Sequence, residues 1–230
     1  GKTINSLNCL LEVYKKTGYY KAIILVPTIT LVNQWENECK RFRFNNIIKV
    51  YSKRPKWKSD IESLHLQERI YGGEDKVSYV VIATYASFAK DGAFDLLNSL
   101  SSRAMFIADE AHNMGSGSIR KKLPMIRYKR RIGLSATPDR QYDDAGNNAL
   151  LKFFGAEEKY TYEYSMKEAI EKGVLCRYQY YPHIVRLTDG EMVEYNELSK
   201  QIAKYCLGGD LDFTNEKLKF LLLARKRIIH

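Results

Sequence analysis

Four short stretches of this chain are apolar on every residue: Ala22-Ile23-Ile24-Leu25-Val26, Tyr79-Val80-Val81-Ile82-Ala83, Ala104-Met105-Phe106-Ile107-Ala108 and Ile132-Gly133-Leu134. An alternating strand can leave one face in water. A strand without a polar face must be covered on both sides, which is the condition of a parallel sheet between two helical layers. The segments between the runs have helical spacing. Leu7, Leu10, Leu11 and Tyr14 form one stripe that ends before Gly18, a candidate C-cap. Leu31, Trp35, Cys39 and Phe42 form another, with Thr28 or Thr30 as candidate N-cap and Trp35 as a core residue. The pattern predicts a doubly wound α/β fold, a mostly parallel sheet flanked by helices on both faces. Beyond it, residues 139–148 read as a surface loop and 178–187 as an extended segment. One helix is predicted to end at Gly173, and residues 191–206 and 215–229 read as two more. Residues 51–76 are longer and more basic than a strand–helix connection needs, either as an insertion or as a solvated helix face.

The composition removes several function classes. The 230 residues contain no apolar run near the roughly 20 residues that a membrane-spanning helix requires. The polar start carries no signal peptide, so a cytoplasmic or otherwise intracellular location is expected. Cys9, Cys39, Cys176 and Cys206 are scattered and give no zinc-ligand spacing. The net charge is +10 and it is concentrated. Eight Lys or Arg and no acid lie between Glu38 and Asp60, seven and no acid between Glu110 and Asp139, and five more follow Glu216. Such windows suit a polyanion, nucleic acid above all, or else a solvated basic surface.

Each apolar run is followed at once by a polar cluster: Pro27-Thr28, Thr84-Tyr85, Asp109-Glu110 and Ser135-Ala136-Thr137. In an open parallel sheet the carboxyl ends of the strands share one edge, where ligands bind. Gly1-Lys2-Thr3 matches the last three residues of a phosphate-binding loop and runs straight into a helix. In such a loop the helix N-terminus receives phosphate, the Lys neutralises it, and the Thr hydroxyl ligates Mg²⁺. Asp109 and Glu110 suit a metal–nucleotide site, one holding the cation and one polarising a water. They would equally suit the first turn of a helix.

Taken in order, Gly1-Lys2-Thr3, Val26-Pro27-Thr28 with Leu31-Val32-Asn33-Gln34-Trp35, Ala83-Thr84-Tyr85, Asp109-Glu110-Ala111-His112 and Ser135-Ala136-Thr137-Pro138 resemble motifs I, Ia, Ic, II and III of superfamily 2 helicases. The chain is most similar to the XPB-like DNA repair helicases and the type III restriction enzyme motor subunits. Glu168 to Leu175, and Glu194-Tyr195 with Leu198, resemble segments that follow motif III in those proteins. The resemblance implies a RecA-like P-loop NTPase lobe over residues 1–160, with 161–230 leading toward a second lobe. It implies ATP and Mg²⁺ as cofactors and DNA, more than RNA, as partner. Lys2 and Glu110 would be catalytic, with Gly1, Lys2 and Thr3 binding nucleotide and Thr3 and Asp109 binding the metal. His112, Ser135 and Thr137 would couple nucleotide state to grip on the strand, and Pro27, Thr28, Thr84 and Tyr85 would meet the DNA backbone, with simple core packing as the alternative for Tyr85. Arg140 lies near this set without an assigned role. The front of the phosphate loop and motifs IV to VI lie outside the chain, so the isolated chain is expected to hydrolyse ATP hardly at all. A restriction or defence motor, an RNA helicase and a non-catalytic nucleic-acid-binding fragment are the alternative readings.

Overall fold

The computed structural model describes residues 1–71, 77–140, 143–156, 160–206 and 216–229. The chain forms two compact units, residues 1–163 and 164–230. The first unit is built on strands β1 (Lys21–Val26), β2 (Ile47–Val50), β3 (Tyr79–Thr84), β4 (Met105–Asp109) and β5 (Arg130–Leu134). Its helices are α1 (Lys2–Thr17), α2 (Ile29–Arg41), α3 (Trp57–Ile70), the single turn α4 (Tyr85–Phe88), α5 (Asp91–Asn98), the single turn α6 (Gly117–Arg120) and α7 (Asp144–Phe154). The strands pair in parallel in the order β2-β3-β1-β4-β5. This is the doubly wound, mostly parallel α/β arrangement that the sequence pattern predicts, consistent with the RecA-like lobe that the resemblance implies.

The alternation of side chains along each strand divides the core in two. Ile23, Leu25, Val81, Ala83, Phe106 and Ala108 pack with α3, α5 and α7 on one face. Ala22, Ile24, Val26, Val80, Ile82 and Ile107 pack with Leu7 and Leu10 of α1 and Val32, Trp35 and Cys39 of α2 on the other. Every residue of β1, β3 and β4 is buried, as runs covered on both faces require. The helix boundaries are local chemistry. Gly18 closes α1 with φ 77°, a left-handed conformation open to glycine, and Thr28 caps α2 by accepting from the Leu31 N–H at 3.3 Å.

Three expectations are corrected. Residues 51–71 are not an insertion: they hold the crossover helix α3, whose Trp57, Ile61 and Leu64 enter the core while Lys58, Ser59, Glu62 and Ser63 form the solvated helix face that was the alternative. Residues 72–76 lie outside the described residues. Within 139–148 the predicted loop is short, because Asp143 caps α7 by accepting from the Gly146 N–H at 2.9 Å and the helix begins at Asp144; residues 141–142 are outside the described residues. Segment 178–187 forms no regular strand, and Tyr180, Tyr181, Ile184 and Val185 are exposed. The rest of the second unit follows expectation: α8 (Met166–Glu171) is followed by Gly173 at φ 69°, then come α9 (Asp189–Cys206) and α10 (Glu216–Ile229). No helix among the described residues is long and apolar enough to cross a membrane.

Candidate functional site

The parallel sheet places the ends of β1, β3, β4 and β5 on one edge, and α1 brings its first turn there. Lys2 opens α1, and its Nζ lies 3.2 Å from Glu110 Oε1 across 108 residues of sequence. Both side chains remain part-exposed, at 42% and 31%, so the pair is open to a ligand. Gly1 offers α1 no side-chain cap, which leaves the first backbone N–H groups of a 16-residue helix available to an anion.

Glu110 is one of three non-glycine residues with positive φ, at 50°, among the described residues. Such a backbone is costly and persists only where its neighbours hold it. Here they do. On one side the Tyr85 hydroxyl donates to the Asp109 carbonyl at 2.8 Å. On the other, the Glu110 carbonyl accepts from the Asn113 backbone N–H at 3.0 Å and from Asn113 Nδ2 at 2.9 Å. The bend turns the Glu110 carboxylate back to Lys2. Burial first, then the charges of Asp109 and Glu110, hold the Tyr85 phenol well above its usual value, so it stays protonated and donates.

The Asp109 carboxylate is 8% exposed and nevertheless well supplied with donors. Oδ2 accepts from the Trp35 indole N–H at 2.9 Å, and Oδ1 from the Glu110 backbone N–H at 3.1 Å. A carboxylate offers about four acceptor positions, so two remain. From Glu110 the contacts continue. His112 Nδ1 lies 3.5 Å from Glu110 Oε2 and 3.1 Å from Ser135 Oγ, and Ser135 Oγ accepts from the Thr137 N–H at 3.2 Å. Lys2, Glu110, His112, Ser135 and Thr137 thus meet in one continuous line.

No group of three or more His, Cys, Asp or Glu able to hold a metal exists among the described residues. A Mg²⁺ that takes one or two carboxylates and completes its shell with water and substrate phosphate fits such a donor set. Asp109 would hold it, and Thr3, half-buried in the first turn of α1, is the hydroxyl nearest in role.

Beside this line is a cavity of about 180 Å³ lined by Pro27 and Ile29 after β1, Tyr51 and Ser52 after β2, Thr84 at the end of β3, and Ser87 and Lys90 beyond it. Helix α2 leaves for one face of the sheet and α3 and α4 for the other, which opens the crevice. Of the four residues expected to face DNA, Pro27 and Thr84 line it, and Thr28 is exposed at the cap of α2. The Thr84 hydroxyl is spent in capping α4, accepting from the Ser87 N–H at 3.3 Å and donating to Ser87 Oγ at 3.1 Å. Tyr85 takes its core-packing alternative: its ring sits in the core and its hydroxyl serves Asp109, so its side chain is not on the crevice surface. Lys90 was missed, and Tyr51 and Ser52 were not singled out within the basic segment 51–76 that they open.

Trp35 is a core residue as its stripe predicts, at 1% exposure, but it is also a ligand of Asp109, which no pattern announced. Arg140 acquires a role too. Its Nε donates to Asp143 Oδ2 at 2.7 Å and its Nη1 to the His112 carbonyl at 2.8 Å, tying the start of α7 to the turn after β4. It passes so close to Gly115 that a Cβ there would lie 2.5 Å from Arg140 Cδ.

The basic windows divide. Lys53, Lys56 and Lys58 follow the carboxyl end of β2, on the crevice edge. Lys40 and Arg41 close α2, Arg43 follows it before β2, and Arg130 and Arg131 open β5, all on the opposite edge. Several cations are internal. Lys122 is buried in an ion pair with Asp91, and Arg131 donates to the carbonyls of Ile126, Tyr128 and Phe153.

Comparison with known proteins identifies the family of the chain. Residues 1–140 match the family described as type III restriction enzyme, res subunit. A putative DNA 3'-5' helicase Rad25 of Haloarcula marismortui is 28% identical over 144 residues, covering 63% of this chain and 19% of that protein. The DNA 3'-5' translocase XPB2 of Sulfurisphaera tokodaii is 25% identical over 195 residues, covering 84% of this chain and 37% of that protein. The chain therefore spans only a fifth to about a third of those relatives. Among solved structures, the Pyrococcus furiosus Hef helicase domain aligns over 96% of this chain and 52% of that one, at 18% identity and a TM-score of 0.32. The matched stretch carries all five ordered motifs on one sheet edge, and the chain belongs to the family of the type III restriction enzyme res subunit, as a first lobe of the superfamily 2 helicase type.

Proposed function

We propose that this chain is the first motor lobe of an ATP-dependent DNA helicase or translocase, binding ATP with Mg²⁺ at one end of the sheet edge and the DNA backbone at the other. The observation that carries the reading is the unbroken line Lys2–Glu110–His112–Ser135 beside the strand-end crevice. Phosphate arriving at the first turn of α1 would draw Lys2 away from Glu110. That frees Oε1 to accept the proton of an attacking water while the held backbone keeps the carboxylate in place. Mg²⁺, when bound, would offset charge on the phosphate oxygens. His112 touches both Glu110 and Ser135, so a change at the carboxylate reaches the loop after β5 without passing through solvent. In the crevice, backbone N–H groups, the Ser52 hydroxyl and Lys90 suit phosphate and sugar contacts that carry no base sequence. DNA in preference to RNA is supported by the printed names of the two relatives.

The test is nucleic-acid-stimulated ATP hydrolysis by the complete protein. Lys2→Ala and Glu110→Gln should each lower the stimulated rate by at least about 100-fold, the scale of a lost positioned acid–base or electrostatic group. Full stimulated activity in Lys2→Ala would remove Lys2 from the site. DNA and RNA should be compared at matched salt, because phosphate-driven binding falls steeply with salt. A restriction or defence motor is the second reading, favoured by the family description itself. A nuclease or methylation-linked partner in the rest of the system would identify it.

A further inference from the structure

Asp109 is the most enclosed of the acidic groups on the sheet edge, and its surroundings are unusual for a core. A buried carboxylate is costly unless it is hydrogen-bonded. The expected partner would be Lys or Arg. Here the side-chain donor is a neutral indole, Trp35 Nε1, 2.9 Å from Oδ2. The ring enters from α2 within the core cluster of Leu7, Leu10, Ile24 and Val26. An indole N–H donates and cannot accept, and its ring has few rotamers once packed. It therefore fixes the carboxylate's orientation without cancelling its charge, as an ammonium or guanidinium would. A carboxylate meant to attract a cation gains from this choice; one serving only the fold would gain more from an ion pair. Packing at this buried position calls for bulk, but an apolar stripe does not call for an N–H donor, which is what the indole adds.

We propose that Trp35 is a positioning residue for metal binding: its indole N–H holds Oδ2 of Asp109 so that the free acceptor positions of the carboxylate face the Mg²⁺ of the bound nucleotide. The proposal rests on the reading of Asp109 as the metal residue. Donors that hold a metal ligand from behind orient it and are costly to remove.

The experiment measures affinity of the complete protein for a fluorescent ADP analogue, with Mg²⁺ and with EDTA. Two variants remove the donor: Trp35→Phe, and a protein carrying β-(3-benzothienyl)alanine at position 35, which keeps the bicyclic shape and replaces the N–H by sulfur. In both, the gain in affinity conferred by Mg²⁺ should fall about tenfold or more, the scale for removing a hydrogen-bond partner of a metal ligand. Affinity in EDTA should stay unchanged. If Trp35→Phe fails to fold, the near-isosteric variant decides. An unchanged Mg²⁺ gain in the benzothienyl protein, or an equal loss in EDTA, overturns the proposal. Asp109→Asn is measured alongside. If it keeps the full Mg²⁺ gain, the reading of Asp109 fails and the proposal with it; if it loses the gain while the position-35 variants keep it, the proposal alone fails.

Discussion

At the residue scale, the site depends on side chains that do two jobs. Tyr85 fills the core and holds the peptide before the strained Glu110. Arg140 bridges Asp143 and the His112 carbonyl. The Asp143 carboxyl lies below its usual value, chiefly through its hydrogen bond from Arg140 and then through the Gly146 N–H. A carboxyl lowered in the folded state adds stability above its ordinary value of 3.8, and that stability is lost as pH falls through the lowered one. Arg140→Ala should therefore lower the melting temperature at neutral pH, and the gap from wild type should narrow below pH 3.8 without closing. It should not close because the bond to the His112 carbonyl does not titrate. Thermal melts at the two pH values check this; a gap independent of pH would assign the loss to other interactions. Of these residues Glu110 was singled out from sequence, as part of Asp109-Glu110-Ala111-His112. The duties of Trp35, Tyr85 and Arg140 depend on partners 74, 24 and 28 residues away, which local pattern does not encode.

At the element scale, the end of α1 at Gly18 and the start of α2 at Thr28 were legible because capping is local, whereas the Asp143 cap of α7 fell in a stretch read as loop. Thr28 follows β1 and caps α2 at the mouth of the crevice. Thr28→Ala should cost about 1 kcal/mol in denaturant unfolding, and Thr28→Ser should restore most of it. An unchanged stability in Thr28→Ala would mean that its 3.3 Å bond to the Leu31 N–H contributes nothing. Strand β2 was not legible. Ile47-Ile48-Lys49-Val50 is an edge strand of four residues, with Ile48 and Val50 buried and Ile47 and Lys49 only partly so. An edge strand needs less cover than a central one, and so lacks the continuous apolar run that betrays β1, β3 and β4. With β2 unseen, the crossover through α3 looked like an insertion.

At the scale of the molecule, the net charge of +10 does not make one basic face. Parallel strands send Lys53 and Lys56 to the crevice edge, and α2, running back along the sheet, carries Lys40 and Arg41 to the other. Lys40 and Arg41 are moreover paired with Glu36 and Glu38 on their own helix. Replacing Lys53 and Lys56 by Ala should reduce the slope of DNA affinity against salt by about 1 for each phosphate no longer neutralised. Replacing Lys40 and Arg41 should leave it unchanged. Anisotropy titrations across a salt series decide; equal effects of the two pairs would place the DNA path elsewhere.

The sequence by itself determined the fold class, the order of the motifs and the chemistry of their residues. Each follows from short-range physics: runs with no polar face must be buried on both sides, caps act within a turn, and carboxylates, lysine and hydroxyls are suited to phosphate and metal wherever they stand. Tertiary structure alone decided which neighbours those residues meet. Strand order put β1 between β3 and β4, so an indole from one face of the sheet and a phenol from the other converge on Asp109. The direction of α2 decided which lysines share an edge with the site. Both depend on interactions between distant parts of the chain, settled by how the layers pack and not by any local preference.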